Sequence, residues 1–167
     1  MEQLSCSTNE TIICYYVCMK VSVKRKVVIV ECPTILKAAG YLSAGTEGYK
    51  KAKAAAFFPF IFIRNKDSLT DLFINHEKIH HRQQLETLFI GLLLLSVIEK
   101  VYGRLFLGFK GEELYLYLAS EQEAYRNQGD NNYLTHRRLY SLFWYVRNKE
   151  KLSFVEGQAP KVVSHET

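Results

Sequence analysis

The sequence predicts an α+β fold that is mainly α, with a small β element near the N-terminus. β-Branched and apolar residues dominate Val21 to Cys32, which is typical of a strand or one half of a hairpin. Apolar residues recur at helical spacing in three later segments, 67–100, 112–127 and 133–149. The hydrophobic fraction of 48% and the aromatic fraction of 13% are those of a folded globular chain.

Length and charge limit the number of domains and the kinds of partner. A chain of 167 residues can bury one core but is too short for a catalytic domain and a second independent domain. We expect a single domain over residues 1–150, with residues 1–20 as its candidate disordered part, and a flexible tail over 151–167. The net charge of +5 has no accompanying aromatic nucleic-acid motif. We therefore expect no nucleic-acid partner, whereas peripheral contact with a membrane surface stays open.

The cysteines and the N-terminus give no sign of a metal knuckle or of export. The four cysteines are Cys6, Cys14, Cys18 and Cys32. They lack C-x-x-C spacing, so we expect buried free thiols. The first ten residues are polar and contain no apolar stretch of the kind found in secretory signals, which predicts a cytoplasmic location, with membrane association left open. Both Met1 and Met19 qualify as the start residue.

Two strand-like segments flank a loop in the first part of the chain. Pro33 ends the first strand pattern. Thr34 to Ala56 is rich in Ala, Gly and Lys and predicts a short helix over Ile35 to Leu42, followed by a flexible loop. Phe57 to Ile63 is dense in aromatic and β-branched residues and predicts a strand, with Pro59 at its start or at a sheet edge.

The longest helical pattern, Asp67 to Lys100, carries an H-E-x-x-H motif at residues 76–80. Because residues four apart lie on one face of a helix, His76 and His80 can bind a single metal ion, with Glu77 beside them. Catalytic zinc sites combine such ligands with a third protein ligand and an open position that holds water. The adjacent carboxylate then takes a proton from that water.

Other residues of this helix suggest its start and the surroundings of the ligands. Asp67 or Ser68 is placed to cap its first turn. Gln83 follows His80 by three residues, so it either orients that ligand by a hydrogen bond or is only a polar residue on the same face. His81 is rotated by about 100° from His80, and we expect it on the surface.

Further helices separated by turns account for the rest of the domain. Thr87 to Ile98 is uncharged but shorter than the roughly twenty residues of a membrane span, which favours a buried helical segment or an interfacial patch. Gly108 and Gly111 mark a turn before a helix over Glu112 to Asn127. Tyr133 to Lys149 predicts the last helix, which has an aromatic face.

A third metal ligand must be a His, a Cys or a carboxylate on another element that packs against the H-E-x-x-H helix. Glu121, Glu123, His136 and Glu86 qualify by type. Glu86 lies on the same helix as the histidines but ten residues past His76, about 15 Å along the axis, so it cannot reach the ion. Glu121 is the best candidate, because Ala124 and Tyr125 follow it at helical spacing and add a small residue for close packing and a phenol. Glu123 projects to a different face and is expected in solvent, although Glu123 or His136 stays open as a replacement or additional ligand.

These motifs carry a family resemblance. The H-E-x-x-H helix followed by E-x-E-A on a later helix resembles the gluzincin-like zinc metallopeptidases of the CAAX prenyl protease and HtpX type. The resemblance implies a minimal zincin-like domain with Glu121 as the third zinc ligand. Ala124 matches the E-x-x-A-D motif of that family, but Tyr125 stands where the family has Asp. Phe57 to Asn148 is also similar to short uncharacterised bacterial proteins with an H-E-x-I-H-x-R-Q-Q-L-E signature, which implies a metal site but no particular substrate.

The predicted function is that of a zinc-dependent metallopeptidase-like hydrolase acting on a peptide or protein. Glu77 would activate a zinc-bound water against the peptide bond, and Tyr125 or His136 would donate a hydrogen bond to the developing oxyanion. A strand at Phe57 to Ile63, if at a sheet edge, could bind a peptide by backbone pairing. Two alternatives stay open: a non-catalytic metal-binding protein with His136 as fourth ligand, and a regulatory protein at a membrane surface. The oligomeric state is not indicated.

Overall fold

A computed structural model describes residues 12–14, 19–24, 27–32, 34–36, 54–65, 69–153 and 160–162. Its β-branched segments form a five-stranded sheet with the strand order β1-β2-β3-β5-β4. The strands are β1 (Ile12–Cys14), β2 (Met19–Lys24), β3 (Val27–Glu31), β4 (Ala54–Phe57) and β5 (Phe60–Ile63). The predicted mainly helical α+β fold is confirmed. β1 and the start of β2 lie in the segment that was the candidate for disorder.

The predicted strand or hairpin at Val21 to Cys32 is an antiparallel hairpin of β2 and β3, in which Val23 faces Val28. β3 continues the sheet by pairing in parallel with β5, so that Ile29 lies opposite Ile61. Val27 and Ile29 of β3 and Ile61 and Ile63 of β5 are buried together, as expected when one face of a sheet covers a core. Leu69 and Phe73, which follow β5 in the chain, pack against that core.

Phe57 to Ile63 is a hairpin rather than the single strand that the sequence predicts. A turn at Phe58 and Pro59, with a cis peptide bond between them, separates β4 from β5. Pro59 has no N–H to donate to a ladder, so it is accommodated between two strands more easily than within one. β5 lies inside the sheet and β4 is at its edge, so β4 takes the place of the predicted edge strand.

Six helices follow the sheet in the described part of the chain. They are α1 (Asp71–Glu86), α2 (Ile90–Leu105), α3 (Gly111–Leu116), α4 (Ala119–Asn127), α5 (Tyr133–His136) and α6 (Leu142–Arg147). The first turn of α1 is capped by Thr70, whose hydroxyl oxygen accepts from Phe73 N at 3.2 Å. The predicted caps, Asp67 and Ser68, are outside the described residues and outside this helix.

Each of the three long helices predicted from the sequence is divided in two. The pattern from 67 to 100 breaks between α1 and α2, where Leu88 and Phe89 have φ values of 52° and 59°. The pattern from 112 to 127 breaks at Leu118, which is extended, and the pattern from 133 to 149 breaks near Tyr140, with φ of 57°. Helical spacing of apolar residues continues across these breaks, so the sequence pattern alone does not reveal them.

Two small apolar clusters hold the helices together. Ile79 of α1 and Ala124 of α4 are fully buried against each other and against Tyr133 of α5. Ala119 and Leu142 belong to the second cluster, which joins α4 and α6 and receives side chains from α2. The first cluster brings the H-E-x-x-H helix against the helix that carries Glu121.

The segments beyond these helices are described only in part. The helix predicted at Ile35 to Leu42 is present at residues 34–36, and its remainder is outside the described residues. In the segment predicted as a flexible tail, β6 (Leu152–Ser153) pairs antiparallel with β7 (Lys161–Val162). None of the described helices has both the length and the apolar character that crossing a bilayer requires.

Candidate metal centre

The H-E-x-x-H motif lies in the middle of α1, where helical spacing places its two imidazoles together. The Nε2 atoms of His76 and His80 are 3.1 Å apart. Both rings are largely shielded from solvent, with side-chain exposures of 7% and 12%. The geometry expected from the i, i+4 spacing is present in the structure.

Glu121 reaches this pair of histidines from α4. Its Oε2 atom is 3.5 Å from His76 Nε2, and its Oε1 atom is 3.5 Å from His80 Nε2. One potential ligand atom from each of the three residues lies within 4.8 Å of the others, so the group could hold a metal ion. The structure thus brings together the three residues that the sequence predicts as ligands.

Two glutamines fix the orientation of the histidine rings. His76 Nδ1 is 3.1 Å from Gln128 Oε1, and His80 Nδ1 is 2.8 Å from Gln83 Oε1. The Gln83 amide is held in this orientation because its Nε2 donates to Glu123 Oε2. An amide oxygen can only accept, so each Nδ1 is the donor and each neutral ring presents a lone pair at Nε2. Of the two predictions for Gln83, the ligand-orienting one is confirmed.

The donor set fits a divalent cation. Two lone pairs that face each other repel unless a proton or a metal lies between them. Glu121 Oε2 is buried and has no hydrogen-bond partner among the described residues. A buried carboxylate oxygen without a partner is unusual and needs a ligand to compensate it. Two imidazole nitrogens and a carboxylate oxygen are common ligands of zinc in proteins.

In the metal-free chain, a proton on the histidines compensates part of the negative charge of Glu121. Burial alone would lower the pKa of His80, but the Glu121 carboxylate beside it raises that pKa to about 9. Burial alone would raise the pKa of Glu121, yet His80 and His76 hold it well below its usual range. The site therefore favours an ionised carboxylate and a positive charge at the histidines, which a metal ion can supply in place of the proton.

Glu77 is the buried carboxylate next to the histidines, as the motif predicts. Burial raises the pKa of Glu77, and the nearby His76 and His80 offset part of this effect. The backbone N–H of Ala56 on β4 donates a hydrogen bond to it. A carboxylate with a raised pKa is a better proton acceptor in catalysis than one in water.

Tyr125 lies beside the histidines, with its ring centroid 4.5 Å from that of His76. Burial raises the pKa of Tyr125 above its usual value, so its hydroxyl stays protonated. The Tyr115 ring packs edge-on against that of Tyr125, with centroids 6.4 Å apart, and burial together with the nearby Glu121 carboxylate raises the pKa of Tyr115. Tyr115 lies on α3 and has no periodic relation to the ligands, and the sequence analysis did not identify it.

His81 is not on the surface, contrary to the sequence prediction. Its exposure is 7%, and its Nε2 atom is 3.0 Å from the carbonyl oxygen of Phe60. The Phe58 ring packs edge-on against it. The prediction was wrong because α1 packs against the β4–β5 hairpin as well as against α4, so this side of the helix is also covered.

Glu123 is not in solvent, which corrects a second prediction. It is completely buried, and Tyr133 and Gln83 donate to it at 2.9 Å each. Arg137 forms an ion pair with it and also with Glu86, which lies at the end of α1. The prediction placed Glu123 in solvent because it projects to a different face of the helix from Glu121, but Arg137 provides a charge partner on that face and makes burial tolerable. Glu123 is therefore an ion-pair partner of Arg137 and does not belong to the group of His76, His80 and Glu121 that could hold a metal ion.

His136 does not join the metal group that the described residues form. Its side chain is 62% exposed, and its Nε2 atom is 3.4 Å from Asp130 Oδ2. His136 lies at the end of α5, where its ring contacts Tyr133. The predicted use of His136 as a fourth ligand or as a donor to an oxyanion has no support in this arrangement.

Sequence reasoning also missed the residues that support His76. Gln128 accepts from this ring, and Asn75 donates to the Gln128 carbonyl oxygen at 2.8 Å. Glu121, Tyr125 and Gln128 are spaced four and three residues apart, so they lie on the same face of α4 and its C-terminal turn. That periodicity could have identified Gln128.

The fold and the site together define a class: a mainly helical α+β chain with a buried His/His/Glu group that could hold a metal ion. Comparison of the chain with models of known protein families, with curated proteins and with solved structures finds no match. The function must therefore be argued from the geometry of the site.

Proposed function

We propose that the chain is a zinc-dependent hydrolase of the metallopeptidase type, which cleaves a peptide bond. One observation carries the proposal. The buried Glu121 Oε2 atom, which has no hydrogen-bond partner in the described part of the chain, faces His76 Nε2, and Glu77 is buried beside this pair. A structural ion site would not need the additional buried carboxylate, whereas a hydrolytic site needs a general base.

Three protein ligands leave the fourth position of a tetrahedral zinc ion open, which is the coordination of catalytic rather than structural sites. When bound there, zinc would polarise a carbonyl group and lower the pKa of a water molecule to about 7. Gln83 and Gln128 keep the Nε2 lone pairs of both histidines directed toward the ion.

Glu77 has the environment of a general base. Its carboxylate is buried, and its raised pKa increases its tendency to accept a proton from an attacking water. The Ala56 N–H holds the carboxylate in place at the edge of the sheet. The proton can then pass from Glu77 to the departing amine.

We assign Tyr125 the role of donor to the oxyanion that develops at the carbonyl carbon. Its ring packs against His76, and burial keeps its hydroxyl protonated at neutral pH. A preorganised donor beside the reacting carbonyl stabilises the transition state more than the ground state. Tyr115, whose ring packs edge-on against that of Tyr125, restricts the position of this side chain.

A peptide substrate fits the surroundings of Glu77 better than a compact small molecule. β4 is the last strand of the sheet and carries small side chains at Ala54, Ala55 and Ala56. The backbone of β4 at Ala56 is already bonded to α1, where Glu77 contacts its N–H and Gln84 Nε2 donates to its carbonyl oxygen at 2.8 Å, so an extended peptide could pair beside β4 only before Ala56, next to the proposed base. Strand addition of this kind recognises backbone and leaves the side-chain preference to nearby pockets.

The decisive experiment combines metal analysis with hydrolysis of a fluorogenic peptide library. We expect one zinc per chain in the unaltered protein, loss of zinc in Glu121→Ala, and normal zinc content in the control Glu113→Ala, whose residue is exposed on α3. Glu77→Gln should keep zinc and lose at least a hundredfold in kcat/KM, because it removes the base and leaves the ligands.

Two results would contradict the proposal. Unchanged zinc content in Glu121→Ala would refute the ligand assignment. Full peptidase activity in Glu77→Gln would refute the mechanism. Zinc binding without hydrolysis by the unaltered chain would favour the non-catalytic alternative.

A further inference from the structure

The exposed face of α2 is almost entirely apolar. Nine residues of this helix are exposed, and Arg104 is the only one of them that carries a charge. The other eight are Ile90, Leu93, Leu94, Val97, Ile98, Val101, Tyr102 and Leu105, with exposures from 47% to 71%. A surface helix of a globular protein normally shows polar residues to water. The distribution on α2 is the opposite.

The buried face of α2 holds the helix in this orientation. Glu99 on that face forms an ion pair with Lys149 and accepts from Ala119 N at 3.0 Å. Gly103 lies so close to α3 that an added Cβ would be 2.8 Å from a methyl carbon of Leu114. Turning the apolar face inward would break the ion pair and this close contact, so the exposure of that face follows from the packing.

The apolar surface extends beyond α2 at both sides of its first turn. Leu88 lines one depression together with Leu139 and Tyr140, which precede α6, and the depression ends at the charged Arg82 and Glu86 of α1. The Phe89 ring is 5.8 Å from the ring of Phe57 at the end of β4. We call this surface the α2 face: the exposed apolar residues of α2 together with Leu88, Phe89, Leu139, Tyr140, Phe143 and Trp144. Contiguous apolar surfaces of this extent mark interaction sites.

The charges around the α2 face match an anionic lipid surface. Arg104 near the end of α2 and Lys110 after it are exposed, and Arg138 and Arg147 flank the exposed residues of α6. A second copy of the chain would bring these like charges together, whereas anionic headgroups would neutralise them. Tyr and Trp rings with an apolar body and a polar edge are typical of the boundary between lipid and water.

We propose that the α2 face seats the chain on one leaflet of an anionic phospholipid bilayer, with α2 lying in the plane of the interface. Interfacial helices combine a buried apolar face with basic residues that contact headgroups. This proposal does not depend on the metal site or on hydrolysis. The two sites are close in the fold, because Phe57, whose ring contacts Phe89 of the α2 face, directly follows Ala56, the partner of Glu77.

The test uses the full chain and its single tryptophan, Trp144, which is 51% exposed on α6. Vesicles of an equal mixture of phosphatidylcholine and phosphatidylglycerol should sediment the protein at low salt and shift the Trp144 emission to the blue. Vesicles of phosphatidylcholine alone should bind it at least tenfold more weakly, because the headgroup attraction is lost. The Glu77→Gln variant should bind vesicles normally, which separates this test from that of the hydrolase.

A pair of matched leucine substitutions tests whether the α2 face is the part of the chain that binds vesicles. Leu94→Gln on α2 should weaken vesicle partitioning roughly tenfold, since one exposed leucine no longer enters the lipid. Leu72→Gln, at an exposed position of α1, should leave partitioning unchanged. Both substitutions are at exposed sites, and circular dichroism verifies folding.

Two outcomes would overturn the proposal. The first is no sedimentation and no Trp144 shift with anionic vesicles at low salt. The second is a lipid-free dimer, detected by sedimentation velocity, that Leu94→Gln dissociates and that vesicles do not compete with; this would assign the α2 face to a second copy of the chain.

Discussion

At the level of single residues, Gln83 and Gln128 determine what the two histidines can bind. Their amide oxygens accept from Nδ1 of His80 and His76, which turns both Nε2 atoms toward Glu121, where each can carry a proton or present a lone pair to a metal ion. A metal-binding group requires this tautomer, and the same contacts also limit rotation of the rings. The ligand arrangement is therefore prepared before any ion arrives.

Because His80 carries a proton in the metal-free chain, zinc binding should depend on pH. Because Glu121 raises the pKa of His80 to about 9 in the metal-free chain, this ring is protonated at neutral pH and must lose its proton to bind zinc. Apparent affinity should rise up to about tenfold per pH unit between roughly pH 7 and 9 and then level off.

Zinc titration in a weakly buffered solution with a pH indicator measures this effect. Near neutral pH, close to one proton per zinc should come from His80, and the control His81→Gln should release the same amount, because His81 contacts the sheet. An affinity that does not change between neutral pH and pH about 9 would contradict the prediction.

At the level of elements, the break between α1 and α2 redirects the chain. Leu88 and Phe89 both have positive φ values, which are unfavourable for residues with a side chain. Thr87 closes α1 there, since its N–H and its hydroxyl both donate to Gln83 O. Because of the break, α2 runs in a different direction from the H-E-x-x-H helix and packs against α4 and α6.

Leu88→Gly should stabilise the protein by about 1 kcal/mol. Glycine adopts a positive φ without the steric cost that leucine has, and the exposed Leu88 loses little packing when replaced. Leu85→Gly is the matched control within α1 and should destabilise by about 1 kcal/mol. Urea unfolding measures both changes, and equal destabilisation by the two would contradict the argument.

The ion pairs of Arg137 connect elements that are distant in sequence. This side chain, 1% exposed, pairs with Glu86 of α1 and with the buried Glu123 of α4. Burial lowers the pKa of Arg137, but both carboxylates overcome this effect and keep the pKa above its usual value. These two ion pairs therefore hold α4 against α1, close to the candidate metal ligands.

Arg137→Ala should destabilise the protein by about 3 to 5 kcal/mol, because the completely buried Glu123 would lose its charge partner, whereas Glu86 would keep its ion pair with Arg82. Arg138→Ala, at the exposed neighbouring position, should change the free energy of unfolding by less than about 0.5 kcal/mol. Denaturant unfolding of the two variants provides the comparison. Similar values for both would show that the ion pairs make no net contribution.

At the level of the whole molecule, a metal ion would join two separate parts of the chain. His76 and His80 come from α1, while Glu121 comes from α4, and the contact of Ile79 with Ala124 brings these helices together. An ion that binds only when both helices are in place stabilises the folded state. Folding and metal binding should therefore be coupled.

Removal of zinc should lower the midpoint of thermal unfolding. At a free zinc concentration about a thousandfold above Kd, the stabilisation is about 4 kcal/mol. A chelator should abolish it in the unaltered protein and have no effect on Glu121→Ala, which lacks a ligand. Calorimetry with and without chelator measures both, and equal sensitivity of the two proteins would contradict the coupling.

Local patterns predicted much of the candidate site and the kinds of secondary structure present. The H-E-x-x-H spacing placed two histidines on one face, and Ala124 indicated where a second helix could approach closely. These features are local because they depend on helical periodicity. The breaks at Leu88 and Tyr140 were missed, since left-handed backbone at residues other than glycine has no compositional signal.

The sequence alone determined the α+β class, the H-E-x-x-H helix and the grouping of Glu121 with its two histidines, because residue type and helical spacing are contained in the chain itself. Only the tertiary structure decided the burial of His81 and Glu123 and the exposure of the α2 face. Burial depends on what packs against each face of a helix, and partners such as Phe60 and Arg137 are distant in sequence. Long-range partners change the cost of burying a polar group, so its environment follows from the assembled fold.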